Sequence, residues 1–221
     1  ELTFEVMPGE VFAFLGSNGS GKTSTIRSLL NIYEATTGTL LVNGKKLTPE
    51  NAANVGYLPE ERGLYTRSKV LDTMIYFGEL KGMTRDAAKA FSLAFLEQVE
   101  LSDKANVKIK KLSGGQQQKI QLGVAIMGHP KLLILDEPTK GLDPVNRKLL
   151  LDIVDDLQQK GTAVIYITHL MEEVERLADR ILILKDGKAR AYGTVSEVKK
   201  EFNSTSIEDI FVQIYREKAR R

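Results

Sequence analysis

The stretch Gly16-Ser17-Asn18-Gly19-Ser20-Gly21-Lys22-Thr23 decides the fold. It follows the unbroken apolar run Val11-Phe12-Ala13-Phe14-Leu15, which reads as a strand buried on both faces in a parallel sheet. From Lys22 onward Ile26, Leu29, Leu30 and Tyr33 fall at helical spacing. Strand, glycine loop and helix together are the context in which G-x-x-x-x-G-K-[ST] cradles phosphate. Glycines let backbone N–H groups approach the anion closely, and the helix start adds partial positive charge. Lys22 is then expected to span the β- and γ-phosphates of a nucleoside triphosphate. The Thr23 hydroxyl is expected to ligate Mg²⁺, with Ser24 completing the loop.

Working outward, the remaining parallel strands are legible as short apolar runs: Val55-Gly56-Tyr57-Leu58, Leu132 to Leu135, and Ala163 to Ile167. Asn43-Gly44 after Leu40-Leu41-Val42, and Asp186-Gly187 after Ile181 to Leu184, predict tight hairpins and a small antiparallel part. Between residues 65 and 128 the pattern turns helical. Thr84 caps a helix whose Ala87, Phe91, Phe95 and Val99 recur four apart, and a further helix starts after Gly115 with Ile120, Val124 and Met127 inward. Asp143 followed by Pro144 starts another helix, with Val145, Leu149, Ile153 and Leu157 as its core face and Gly161 as its stop. The expected class is α/β with right-handed crossovers, residues 1–64 and 129–221 forming the core and 65–128 an inserted helical subdomain.

Composition narrows the function. A 221-residue chain with 42% hydrophobic and 27% charged residues suits a globular protein with one substantial core. A net charge of +2 gives no electrostatic case for nucleic acid. The absence of cysteine fits a reducing compartment. The start, Glu1 to Val6, reads as the middle of a fold rather than as a leader, and the basic end, Arg216 to Arg221, as a solvated helix terminus. Apolar runs of this length fall far short of the roughly 18–20 residues of a membrane span, so in a membrane process another chain crosses the bilayer.

The chemistry converges on strand ends. Asp136-Glu137 closes the apolar run 132–135, where α/β sheets bind ligands at their carboxyl edge. Asp136 is expected to hold Mg²⁺ through a water and Glu137 to polarise the attacking water. His169, just past the run 163–167, is expected to hydrogen-bond the γ-phosphate and keep the water and Glu137 in register. His129, beside Pro130, reads as structural. Ser113 with Gly114 and Gly115 at a helix start forms a second anion nest, inside Leu112-Ser113-Gly114-Gly115-Gln116.

Gly16–Thr23, Leu112–Gln116, Leu132–Glu137, Gly141-Leu142-Asp143 and His169 occur in the order of an ABC-transporter ATP-binding subunit. They resemble its Walker A, signature, Walker B, D-loop and switch histidine across essentially the whole chain. The resemblance implies a P-loop NTPase core, hydrolysis of ATP to ADP and phosphate with Mg²⁺, and a head-to-tail pair of subunits, identical or different. In that pair Ser113, Gly114, Gly115 and Gln116 of one chain cover the nucleotide on the other, with Asp143 at the interface. It also implies a transmembrane permease partner docking on the helical part, and a peripheral location on the cytoplasmic face of the cell membrane. Two departures stand out. Glu60 follows Tyr57-Leu58-Pro59 where the family has a glutamine, giving a third carboxylate near one cation; it reads as a metal-linked sensor, or otherwise as a surface partner for Arg62. The family's earlier strand with its adenine-stacking aromatic is expected to be missing, and Phe4, alternating with Leu2 and Val6, reads as core. Tyr57 to Tyr65 and the ending Ser206-Ile207-Glu208-Asp209-Ile210-Phe211 look like small exporters, with no long C-terminal regulatory domain expected. The other classes weighed, a soluble ABC ATPase on ribosomes or DNA and a pairing module without catalysis, lack the double cassette or coiled coil, or conflict with Glu137 and His169.

Overall fold

The computed structural model describes residues 2–61 and 63–216. Its centre is a six-stranded sheet in the order β2-β3-β4-β1-β5-β6. The strands are β1 (Val11–Gly16), β2 (Val55–Leu58), β3 (Leu132–Asp136), β4 (Ala163–Ile167), β5 (Arg180–Lys185) and β6 (Lys188–Thr194). All neighbours pair in parallel except β6, which turns back on β5 through Asp186-Gly187. The predicted antiparallel part is thus the edge of the same sheet. At Asn43-Gly44 the hairpin closes with one bridge, Val42 to Lys45, and no strand forms around it.

Alternation along β1 distributes the core. Phe12 and Phe14 pack with Ile26 of α1 (Lys22–Leu29), while Ala13 and Leu15 face the other side, with α6 (Met171–Leu177), α7 (Val195–Glu201) and α8 (Ile207–Arg216). Phe4 stacks on Phe12 at 5.3 Å between centroids, and Leu2 and Val6 pack against the same cluster, as read from their alternation. A third cluster joins β2, β3 and β4 to α2 (Val70–Leu80), α3 (Arg85–Gln98), α4 (Gly114–Ile126) and α5 (Pro144–Gln159). The segment between β2 and β3 thus holds α2, α3 and α4 and, among its described residues, no strand.

Three expectations about helix faces fail for one geometric reason and one local reason. Ala87 of α3 and Val145 of α5 are exposed, Val145 at 79%. Residues four apart drift by about 40° per step on a 100° helix, so three such steps carry a residue roughly 120° off the buried stripe. The stripes run instead through Ala88, Ser92, Phe95 and Leu96, and through Leu150, Leu151, Ile153, Val154 and Leu157. Tyr33 lies beyond the end of α1. The chain turns at Asn31 (φ 56°), Ile32 and Tyr33 both donate to the Arg27 carbonyl, and the Tyr33 hydroxyl accepts from Arg27 at 2.8 Å.

The capped starts form as read. Thr84 accepts from the Ala87 N–H, and Asp143 from those of Val145 and Asn146. Gly161, at φ 93°, ends α5. Among the described residues no helix is long and apolar enough to cross a membrane.

Candidate active site

A cleft of about 660 Å³ opens at the carboxyl ends of β1, β3 and β4. It is lined by Gly16, Ser17, Asn18, Gly19, Gly21, Lys22, Thr23 and Ser24 of the loop, by Asp136, Glu137 and His169 from the strand ends, and by Glu60, Lys140 and Phe211. Parallel strands make this convergence automatic, because residues that end different strands share one edge. Of the predicted phosphate loop only Ser20 turns away; it is buried, and its N–H is bonded to the Ser17 carbonyl.

The loop sits close on β5. A side chain at position 16 would bring its Cβ to 2.7 Å from the Leu184 carbonyl oxygen. Gly21 begins α1 at φ 110°, a left-handed conformation that favours glycine, and no side chain caps the helix. The first-turn N–H groups are therefore left to an anion in the cleft. Lys22 Nζ donates to the carbonyls of Gly16 at 2.6 Å and Ser17 at 3.1 Å, which holds the ammonium over the loop. Burial pulls the lysine's pKa down, against the opposing pull of Asp136, Glu137 and Glu60.

The carboxylates of the cleft are crowded. Burial, and then the negative charges of Glu60 and Glu137, push the Asp136 carboxyl up to about 6. That is the competition expected from placing Glu60 beside the pair, and a hard cation in the cleft would relieve it. Among the described residues no group of three or more His, Cys, Asp or Glu is arranged to hold a metal alone. The donor set, a hydroxyl at Thr23 and a carboxylate at Asp136, fits an ion whose other ligands are phosphate oxygens and water. Glu60 itself is half exposed and pairs with Lys140 at 2.7 Å. Arg62, its other suggested partner, lies outside the described residues.

Glu137 is the strained member. Its φ of 49° is left-handed, and its N–H donates to the Ile167 carbonyl at 2.8 Å, tying the end of β3 to the end of β4. Its Oε1 lies 2.8 Å from His169 Nδ1. One imidazole nitrogen is thus engaged with the carboxylate.

Sequence reasoning missed what holds this pair. Glu173 on α6 is 2% exposed. Its carboxylate accepts from Thr139 Oγ1 at 2.6 Å, Tyr166 OH at 2.8 Å and Thr168 Oγ1 at 3.3 Å, with Arg147 Nε at 3.6 Å. It therefore joins the turn after Glu137 to the turn before His169. In sequence it sits in Glu172-Glu173-Val174-Glu175, an acidic run that reads as a solvated face; only the burial of Val174 and Leu177 beside it turns one glutamate inward.

The second glycine loop is elsewhere. None of Ser113, Gly114, Gly115 or Gln116 lines the cleft, nor does Asp143. Ser113 caps α4: its Oγ accepts from the Gln116 N–H at 3.2 Å, and Gln116 Oε1 accepts from the Ser113 N–H at 2.9 Å. The cap leaves the Ser113 hydroxyl proton free to donate to an anion. Further along α4, Gln118 donates to the Pro138 carbonyl and Gln121 to that of Glu61, both at 3.0 Å. The helix behind the second loop is thus bonded to both carboxylate segments of the cleft. His129, at φ 52°, is exposed and meets Phe91 edge-on, in keeping with a structural role.

The family model for ABC transporters matches residues 1–140. The chain belongs to the ABC transporter family. It is 46% identical over 198 residues to an uncharacterised ABC transporter ATP-binding protein of Methanocaldococcus jannaschii, covering 90% of this chain and 72% of that one. It is 36% identical to the linearmycin resistance ATP-binding protein of Bacillus subtilis, covering 93% and 67% of the two chains. With the Nod factor export ATP-binding protein I of Paraburkholderia xenovorans it shares 37% identity over 88% and 65%. A solved ATP-binding subunit of an ABC transporter superposes with a TM-score of 0.92 at 27% identity, covering 97% of this chain and 92% of that one. As an ABC transporter ATP-binding subunit, the protein binds ATP. The mixed sheet with helices on both faces is the fold of these subunits.

Proposed function

We propose that the protein hydrolyses ATP to ADP and phosphate, with Mg²⁺, and uses the energy to drive export across a membrane. The observation that carries this reading is the 2.8 Å contact between His169 and Glu137, which line the same cleft as Lys22. A water between Glu137 and the γ-phosphate would be oriented by the carboxylate, while His169, when its ring carries both protons, donates from Nδ1 to Glu137 and from the other nitrogen to the phosphoryl oxygen on which charge gathers. Mg²⁺, when bound through Thr23 and Asp136, neutralises charge on the phosphates. Lys22, Gly19, Gly21 and the start of α1 hold the phosphates in line with Glu137. Glu60 and Lys140 form an exposed pair that lines the cleft, and in this reading Glu60 is the carboxylate that would sense a cation held by Thr23 and Asp136.

Two chains share each site in this reading. Ser113 is exposed and none of Ser113 to Gln116 lines its own cleft, so these residues serve a partner's γ-phosphate, with Asp143 near the junction. ATP bridging the two surfaces closes the pair, and loss of the γ-phosphate opens it. Residues 65–128 act as a subdomain that docks a transmembrane permease. Exposed Tyr65, Tyr76 and Leu80, with Phe77 stacked on Tyr65 at 5.9 Å, give that docking an apolar contact. The subunit then sits peripherally on the cytoplasmic face. Export is supported by the relatives named for Nod factor export and linearmycin resistance.

Glu137→Gln keeps the shape and removes the carboxylate. Turnover is expected to fall about 10²- to 10⁴-fold while ATP binding is kept, and an ATP-bound dimer should accumulate in size-exclusion light scattering. A Glu137→Gln protein that stays monomeric in ATP would contradict the shared site.

A further inference from the structure

The exporter-like ending was singled out in the sequence, yet nothing in the catalytic reading uses it. In the structure that segment opens α8, and α8 reaches the phosphate loop. The Tyr215 hydroxyl accepts from the Ser17 N–H at 2.8 Å and donates to the Leu184 carbonyl at 2.5 Å. One side chain thus bridges the first turn of the loop to the end of β5. Phe211, one helical turn earlier, stacks on the Tyr215 ring with centroids 4.5 Å apart and itself lines the nucleotide cleft. Lys185, 7% exposed at the end of β5, donates to the Ile214 carbonyl and lies 5.5 Å from the Tyr215 ring centroid. Ile207, Ile210 and Ile214 anchor the helix in the core that holds Leu15 and Ile183.

We propose that Tyr215 is a positioning residue for the phosphate loop, and that through it α8 sets the affinity for the nucleotide's phosphates. This rests on the nucleotide reading of the cleft and deepens it. The loop carries positive φ at Gly19 (79°) and Gly21 (110°), and Ser17, Asn18 and Gly19 are exposed. A glycine-rich segment of this kind loses much backbone freedom when it wraps an anion. Fixing its first N–H to a tyrosine held by the sheet removes part of that loss before the ligand arrives, which raises affinity without touching the reacting atoms. The bond also commits the Ser17 N–H to the protein, so the phosphates are left to the donors that follow it. Because Phe211 both stacks on Tyr215 and faces the cleft, a ligand pressing on it would press on the same clamp.

Tyr215→Phe tests this, since it keeps the ring and the stacking and removes only the hydroxyl. Affinity for a fluorescent ATP analogue is expected to weaken about three- to ten-fold, while kcat at saturating ATP stays within about two-fold. Hydrogen exchange in the Ser17 peptide of the nucleotide-free protein should speed up, and the melting temperature should move little. Unchanged affinity, or a fall in kcat without a rise in KM, would overturn the proposal; so would unchanged exchange at Ser17. Lys22→Ala, measured alongside, separates the two layers. If Lys22→Ala binds the analogue like wild type, the nucleotide reading itself falls. If Lys22→Ala alone weakens binding, only the role of α8 falls.

Discussion

The two glycine-led helix starts, at Gly21 and at Ser113, look alike in sequence and differ in what they do with their own N–H groups. At α1 the residue before the helix is a left-handed glycine with no side chain to cap it. The first turn is therefore open, and it opens into a cleft that also holds Lys22, Asp136, Glu137 and His169. At α4 a capping box closes the start from within, Ser113 and Gln116 each serving the other. None of Asp136, Glu137, His169 and Lys22 lies at this start; they line the cleft, and Ser113 does not. The contrast separates a phosphate site complete in its donors from a surface that offers one hydroxyl and a helix end. In the proposed reading the first binds the nucleotide and the second adds to what is already bound.

Breaking each start in turn gives the largest expected effects. Lys22→Ala should abolish ATP binding by the isolated chain. Ser113→Ala should leave that binding within about two-fold, lower stability by about 1 kcal/mol through the lost cap, and still reduce turnover about 10²-fold or more. Titration of a fluorescent analogue at low protein concentration, beside steady-state phosphate release, reads both. Equal loss of monomer binding in the two variants would erase the distinction.

A smaller effect sharpens it. The open site is held in shape by the buried Glu173 carboxylate and its three hydroxyl donors, whereas the signature loop is held by its own cap. Glu173→Gln should lower kcat roughly ten-fold and stability by about 1–3 kcal/mol, with KM for ATP nearly unchanged, since Glu173 does not line the cleft. A rise in KM with kcat kept would mean that Glu173 serves binding instead of the Glu137–His169 geometry.

The smallest effect is electrostatic. With its carboxyl raised from 3.8 to about 6, folded Asp136 binds a proton that the unfolded chain has already lost. Its contribution to stability is therefore present below pH 4 and lost as pH rises through 6, on the order of 2 kcal/mol over that window. Denaturant melts of nucleotide-free protein in chelator should show wild type losing stability relative to Asp136→Asn between pH 4 and 6.5. Parallel pH profiles would show that the crowding of Asp136, Glu60 and Glu137 carries no such cost.

What the sequence made legible follows from range. The phosphate loop, the carboxylates at the end of β3, His169 and the caps at Thr84 and Asp143 are local: each needs only a strand end or a helix start to take its place. Parallel pairing of β1, β3 and β4 then collects them on one edge without further instruction. Glu173 and Tyr215 could not be read this way. Each has a distant partner, Thr139 34 residues from Glu173 and Ser17 198 from Tyr215, and nothing nearby distinguishes Glu173 from Glu172, or Tyr215 from any tyrosine on an amphipathic helix. Ala87 and Val145 fall off the buried stripes because a spacing of four resembles a helical period over one step and departs from it over three.

The central claim, that each ATP is held between two chains, is tested most directly by mixing defects. Lys22→Ala and Ser113→Ala are each expected to be inactive alone. A mixed pair contains one site built from an intact phosphate loop and an intact signature loop. With independent sites and random pairing, an equal mixture should recover about a quarter of wild-type turnover. A mixture as inactive as either variant alone would contradict the shared site.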